Sequence, residues 1–158
     1  MKQKKWKIYV FWIALSLAIG GLSGLLSRPG MENFQETVAQ PPWSPPPIVF
    51  PIVWTVLYAL MGLGAAQIWL TEPSQLRSQG LNLFVAQLVV NFFWSLIFFD
   101  ARCFSLAFLW LLLLWGLVFW MIITYRKVNR RAALLQVPYL LWLTFAGALS
   151  GAVWLLNA

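Results

Sequence analysis

The chain has 158 residues, of which 61% are hydrophobic and only 9% charged, and its formal net charge is +7. Soluble domains are roughly 45–50% apolar and about 25% charged, so this composition excludes an ordinary soluble domain and favours a single membrane domain. The positive charge does not indicate nucleic-acid binding, because Lys and Arg fall at the ends of apolar segments and do not interleave with aromatic residues.

The few polar residues restrict the chemistry of the chain. It has one cysteine, Cys103, and no histidine, which leaves no intrachain disulfide and removes the commonest metal and haem ligand. Its four acidic residues fall in predicted loops or at a helix end: Glu32, Glu36, Glu72 and Asp100. We therefore expect no paired-carboxylate or Ser-His-Asp catalysis, no metal site and no obligatory cofactor.

Five uncharged apolar runs have the length of about 20 residues that a helix needs to cross ~30 Å of hydrocarbon. They cover residues 8–26, 48–70, 81–99, 103–125 and 132–157. The first run is longer than the apolar region of a signal peptide and further spans follow it, so we interpret it as a retained helix. The sequence predicts an all-α membrane protein, with residues 1–158 forming one five-helix transmembrane bundle.

The orientation follows from the distribution of Lys and Arg, which are retained in short cytoplasmic loops. With a cytoplasmic N-terminus, nine of the eleven basic residues lie on the cytoplasmic side, and only Arg28 and Arg102 lie on the other. We expect the C-terminus to lie outside. The basic N-terminus and the short tail suit a bacterial inner membrane.

The first connection, residues 27–47, is predicted to be a long loop containing the proline-rich segment Pro41 to Pro47. Proline fixes φ and lacks a backbone donor, so we expect a stiff, extended cap over one end of the bundle. A plain linker and a ligand for a proline-binding domain are the alternatives.

The third run places two amides in hydrocarbon. Gln87 and Asn91 are four residues apart and share a helix face with Trp94 and Phe98. Unpaired polar groups in a membrane are costly, so these amides must meet a partner helix, a cavity or a ligand. Hydrogen bonding between helices is the simpler interpretation, and ligand contact is the alternative.

The second and fifth runs each carry a helix face that passes from large to small side chains. One face holds Trp54, Tyr58, Met61 and Ala65, and the other holds Trp142, Ala146, Leu149 and Val153, with Ser150 at its edge. Such faces can bracket a flat apolar ligand, but aromatic stripes also occur in cores and interfacial belts. We assign four tryptophans near span ends to a belt: Trp6, Trp12, Trp69 and Trp154. Trp54, Trp94 and Trp142 remain as pocket candidates.

Pairs of small residues four apart permit close helix packing. They occur at Gly20 and Gly24, Gly62 and Ala66, and Gly147 and Gly151. We expect packing within one chain, and a homodimer through the first or third span is the alternative.

Three segments resemble the TspO/MBR family, also called translocator protein or peripheral-type benzodiazepine receptor. The first contains Trp43, Pro45, Pro46, Trp54, Leu57, Tyr58, Met61, Gly62 and Gly64. The second is the run Asn91 to Phe99, with Trp94, Phe98 and Phe99 at the family's spacing. The third contains Pro138, Tyr139, Trp142, Phe145, Ala146 and Leu149. The match extends from about residue 41 onward, in order, and indicates a bacterial-type member.

The resemblance implies a five-helix bundle whose pocket opens toward the first loop. It implies binding of protoporphyrin IX, haem and related tetrapyrroles, and of synthetic benzodiazepine- and isoquinoline-type ligands, by a sensor or carrier. Carried over by position, the pocket is lined by Trp54, Asn91, Trp142, Ala146 and Leu149, with Trp43 in the covering loop, and the face that holds Trp54 adds Tyr58. Passive transport of porphyrin or another amphipathic metabolite is an alternative. So is light-dependent porphyrin degradation, which would use Trp54 and Trp142.

Three departures from the family pattern limit what the resemblance implies. Trp110 stands where the family commonly has an acidic residue in the fourth span, and Ser150 stands where animal members have Asn. The tail from Leu149 to Ala158 lacks the Tyr and basic residue of a cholesterol-recognition motif. We therefore expect no dedicated sterol site.

Overall fold

A computed structural model of the protein describes residues 4–158. Its helices are α1 Lys5–Thr37, α2 Val49–Trp69, α3 Gln75–Ser95, α4 Phe104–Val128, α5 Arg130–Leu135 and α6 Val137–Leu156, and a π-helical turn, Leu96–Asp100, extends α3. Within the described residues, five helical stretches are long and apolar enough to cross a membrane, with α5 and α6 together forming the fifth. This confirms the predicted five-helix membrane bundle. Five crossings also place the two termini on opposite sides, and the cytoplasmic N-terminus stays a prediction.

Local polar contacts define the short connections. The Ser74 hydroxyl caps α3 by accepting a hydrogen bond from the Arg77 backbone N–H at 3.1 Å. The Arg77 guanidinium donates to the Trp69 carbonyl at 2.9 Å and lies over the Trp69 ring, so it caps the end of α2 as well. At the next turn, the Asn129 side chain accepts from the Arg131 backbone N–H at 3.0 Å. Each tight turn therefore leaves few backbone groups unpaired at the membrane surface.

The helices pack through small residues and buried large ones. α1 lies along α2, α4 contacts α3 and α6, and α2 also contacts α3 and α5. Gly62 lets α1 and α2 approach closely, because a Cβ there would collide with the backbone of Trp12 and Ile13. Gly20 likewise lies against the ring of Tyr58. These small residues serve packing within one chain, as expected.

The predicted first loop is wrong from residue 27 to residue 37, because α1 continues through Pro29 to Thr37. A proline removes one helical hydrogen bond, but contacts with the π-helical turn support the helix beyond it. Gly30 lies directly against Phe99, and the Phe34 ring packs on Phe98 at a centroid distance of 5.2 Å. The loop proper is residues 38–48, and the proline-rich segment within it is non-helical, as predicted.

The start of α3 and the position of Trp12 also differ from the sequence-based prediction. α3 begins at Gln75 rather than at residue 81, because its first turns are polar and lie outside the apolar run that predicted the span. The position of Trp12 near a span end predicts the membrane interface, but its ring is buried, at 9% exposure, against the rings of Phe84 and Trp69. A tryptophan near a span end can face a neighbouring helix, and spacing along one helix does not show which side has a neighbour.

The contact at Gly62 gives a test of the packing. We expect Gly62→Ala to lower the free energy of unfolding by about 1–3 kcal/mol, because the added methyl meets backbone that cannot rotate away. Unfolding in a detergent–SDS titration, followed by circular dichroism, measures this change. Gly116→Ala is the matched control, since a Cβ there meets nothing within 4 Å among the described residues. Equal stability of the two variants would contradict the close approach.

Candidate ligand-binding cavity

A cavity of about 710 Å³ lies between α1, α2, α3 and α6. Small-molecule sites typically measure roughly 300–1,000 Å³, so this cavity has the size of a ligand site. α1 forms one wall with small side chains, including Gly20, Gly21, Ser23 and Gly24. The aromatic ends of α2, α3 and α6 form the others. The bundle is therefore open in this half, although it is densely packed around Met61, Phe84 and Met121, which are fully buried.

Seven of the eight predicted ligand residues line this cavity: Trp54, Tyr58, Asn91, Trp94, Trp142, Ala146 and Leu149. Three different helices bring them together. Trp43 does not contribute to the wall. It lies in the loop, is half exposed and packs against Phe145 at a centroid distance of 5.9 Å. Trp43 thus lies in the same loop as Gln40 and Pro47, which do line the cavity.

Aromatic rings form the upper walls of the cavity. The rings of Trp54 and Trp142 lie 6.5 Å apart and almost perpendicular, and Phe50 packs against Trp142 at 5.8 Å. On the opposite side Trp94 is stacked on Phe98 at 5.0 Å. Such rings present large, rigid apolar faces, which suits a flat aromatic ligand.

The floor of the cavity is a chain of buried hydrogen bonds that joins α2, α3 and α6. The Tyr58 hydroxyl donates to Asn91 Oδ1 at 3.1 Å, and Asn91 Nδ2 donates to the Tyr139 hydroxyl at 2.6 Å. The Tyr139 hydroxyl then donates to Gln87 Oε1 at 2.8 Å. The two amides therefore bond between helices, as the simpler interpretation predicted, while Asn91 also lines the cavity. Only part of its hydrogen-bonding capacity remains for a ligand.

The mouth of the cavity is covered by residues that the sequence analysis missed. Met31, Glu32, Phe34 and Gln35 line it from the end of α1, and Gln40 and Pro47 line it from the loop. The sequence does not indicate the α1 residues because it predicts a loop from residue 27, whereas Pro47 belongs to the segment predicted to cap the bundle. One signal of a helix is present in the sequence, because Arg28 and Glu32 have the i,i+4 spacing of a helical ion pair. In the structure Arg28 Nε lies 3.5 Å from Glu32 Oε1.

Two contacts hold this cover in place. The Asn157 side chain accepts from the Ala39 N–H at 3.1 Å and donates to the Ala39 carbonyl at 2.9 Å, which attaches the loop to the end of α6. The Arg102 guanidinium donates to the Thr37 hydroxyl, which attaches the end of α1 to the turn before α4. Both contacts lie where α1 passes into the loop, so the middle of the cover is attached to the rest of the bundle.

The cavity is poor in charge. Among the described residues that line it, Glu32 alone is charged, and it lies exposed at the mouth beside Arg28. A buried carboxylate or ammonium on a ligand would have no partner in the interior. The geometry therefore suits a ligand whose interior part is neutral and whose charged groups remain at the mouth.

Comparison with known proteins identifies relatives of this chain. A family model described as "TspO/MBR family" matches residues 12–155. Protein CrtK of Rhodobacter capsulatus is 36% identical over 94% of this chain and 91% of its own length. Tryptophan-rich protein TspO of Chlorobaculum tepidum is 32% identical over 92% of each chain. Translocator protein of Ovis aries is 38% identical over 75% of this chain and 71% of its own.

These similarities span the elements that form the cavity, from α1 to α6. They confirm the family resemblance read from the motifs. Together with the five apolar helices, they show an integral multi-pass membrane protein with bacterial relatives.

The hydrogen-bonded floor yields a graded stability test. Tyr139→Phe removes a hydroxyl that makes two buried hydrogen bonds, whereas Tyr58→Phe removes one. Hydrogen bonds between membrane helices average about 0.6 kcal/mol, and an unsatisfied buried group costs about 1–3 kcal/mol. We expect Tyr139→Phe to lower the unfolding free energy by about 1–3 kcal/mol and Tyr58→Phe by roughly half as much. SDS titration in detergent measures both, and a larger loss in Tyr58→Phe would contradict the proposed chain of bonds.

Proposed function

The chain belongs to the TspO/MBR family, and we propose that it binds a tetrapyrrole, protoporphyrin IX or haem, in the cavity between α1, α2, α3 and α6 as a membrane sensor or carrier. The observation that carries this proposal is the convergence of Trp54, Trp94 and Trp142 on one cavity of about 710 Å³. Flat aromatic ligands gain most from such walls, through stacking and apolar burial. The same walls suit smaller isoquinoline- and benzodiazepine-type ligands.

The chemistry of the walls determines how a tetrapyrrole would lie. Its macrocycle is apolar and matches the aromatic interior, where no described lining residue carries a charge. Its two carboxylates need water or a cation, so they would lie at the mouth, near the Arg28–Glu32 pair. In the absence of histidine, the porphyrin would be held by its faces rather than through an axial His ligand.

A cavity-filling variant tests the location of the site. Ala146 lines the cavity and is 6% exposed, so Ala146→Phe places a ring where the ligand would lie. We expect it to weaken protoporphyrin IX binding at least tenfold. The measurement is a titration of purified protein in detergent, in the dark, followed by Soret absorbance and tryptophan quenching.

Ala148→Phe is the matched control, because Ala148 lies on the same helix but faces outward. It should bind as the unaltered protein does. The double variant Trp54→Phe/Trp142→Phe should bind more weakly as well, since it removes the large ring faces. Equal binding by Ala146→Phe and Ala148→Phe would show that the porphyrin lies elsewhere, and no saturable binding by the unaltered protein would refute the proposal.

The charge at the mouth gives a second prediction. Glu32→Gln removes the negative charge that would repel the carboxylates of protoporphyrin IX. We expect affinity to rise roughly 1.5- to 5-fold at low salt, the range for exposed charge pairs, and the gain to disappear at high salt. Glu72→Gln, in the turn between α2 and α3 at the opposite end of the bundle from the mouth, is the control. Binding of a neutral isoquinoline carboxamide should be the same in both variants, and an equal gain for that ligand would contradict an electrostatic cause.

A further inference from the structure

A second cavity, a groove of about 490 Å³, lies on the outer surface of the bundle between α2 and α6. Every described residue that lines it is apolar or aromatic: Ile52, Val53, Val56, Leu57 and Leu60 on α2, and Pro138, Leu141, Trp142 and Phe145 on α6. Ile52, Val56 and Leu141 are more than half exposed at 59%, 54% and 65%. On membrane-spanning helices such exposed apolar side chains face lipid, so the groove opens to the bilayer.

Trp142 is the common wall of the groove and the interior cavity. The backbones of α2 and α6 have almost no direct contact, since α2 packs on α1, α3 and α5 instead. The seam between α2 and α6 is therefore closed by side chains. Rotation of the Trp142 ring out of the seam would join the bilayer to the cavity.

The Trp142 ring is not held by a hydrogen bond. Its Nε1 is buried and has no acceptor within the described part of the chain, and its neighbours are the rings of Phe50, Trp54 and Phe145. By contrast, Trp110 Nε1 donates to the Val90 carbonyl at 2.7 Å. The closed position of Trp142 is therefore held by packing against these three rings and not by a hydrogen bond.

The mouth differs from the seam because polar side chains line it and hydrogen bonds close it. It is lined by Glu32, Gln35 and Gln40 and closed by the Asn157–Ala39 hydrogen bonds. An ionised ligand can pass beside polar groups and water at the mouth. In the apolar seam it would lose its hydration without compensation.

We propose that neutral lipophilic ligands enter and leave the cavity directly from the bilayer, through the seam between α2 and α6, with Trp142 as the movable barrier. Carboxylated ligands use the mouth instead. This inference rests on the proposed ligand-binding function of the cavity. Residues of the outer groove then affect the rates of exchange and not the affinity, because they touch neither the free nor the bound ligand at equilibrium.

The test blocks the seam from the lipid side. Val56→Trp/Leu141→Trp fills the outer groove without altering a residue of the cavity wall. The matched control is Leu109→Trp/Leu113→Trp, at two lipid-facing positions of α4. Each protein is reconstituted in liposomes, and association and dissociation rates are measured with a radiolabelled neutral isoquinoline carboxamide and with protoporphyrin IX.

We expect the seam variant to slow both rates of the neutral ligand about tenfold at an unchanged Kd, and to leave the porphyrin rates unchanged. The control should behave as the unaltered protein. Asn157→Ala removes the two hydrogen bonds that attach the loop to α6. It should accelerate porphyrin exchange and leave the exchange rates of the neutral ligand unchanged.

Three results would overturn the inference: unaltered neutral-ligand rates in the seam variant, a changed Kd in that variant, or faster neutral-ligand exchange in Asn157→Ala. An unaltered protein that binds neither ligand would instead refute the proposed function, and the seam route with it. Equilibrium binding thus tests the site, and the rates test the route.

Discussion

Three buried hydrogen bonds, which link Tyr58, Asn91, Tyr139 and Gln87 in series, fix α2, α3 and α6 relative to one another. In a bilayer the hydrophobic effect does not drive helices together, so their arrangement follows from close packing and from polar groups that must find partners. These hydrogen bonds join α2, α3 and α6 at one depth in the membrane. On one side of them the bundle is tightly packed, and on the other side the same helices diverge around a cavity.

The cavity results from the sizes of the side chains on the open side of these hydrogen bonds. Above Tyr58 and Asn91 the helices carry tryptophans on α2, α3 and α6, while α1 carries glycine and serine. Large rings facing small residues leave space that neither fills. The extension of α1 past Pro29 and the loop that Asn157 holds then cover this space. The result is an aromatic interior with a polar mouth. Such a cavity suits a ligand that has an apolar aromatic part and polar groups at one edge.

Much of this arrangement is predictable from the sequence. Length and hydropathy predict the five spans, and the spacing of Asn91 and Trp94, or of Trp142, Ala146 and Leu149, predicts which faces turn inward. These features are visible because one helix face is a local property of the chain. The pairing of Asn91 with two tyrosines is not visible, because it joins residues that are distant in sequence.

Other features depend on tertiary contacts. The apolar run predicts that the first span ends at residue 26, yet α1 continues to Thr37, where Phe34 packs on the π-helical turn. Trp43 has the residue type and position of a ligand contact, but the loop turns its ring toward Phe145. The seam at Trp142 exists because α2 packs on α5 and not on α6, an arrangement that no spacing along a single helix encodes. The homodimer stays a prediction.

NMR contacts between ligand and protein can show whether the aromatic cavity holds the ligand. With methyl-labelled protein in detergent and bound protoporphyrin IX, we expect intermolecular NOEs to the methyl groups of Ala146 and Leu149. We expect none to Leu109, which faces lipid on α4. NOEs to Leu109 or to Leu141, with none to Ala146 and Leu149, would place the porphyrin on the outer surface of the bundle instead of in the cavity.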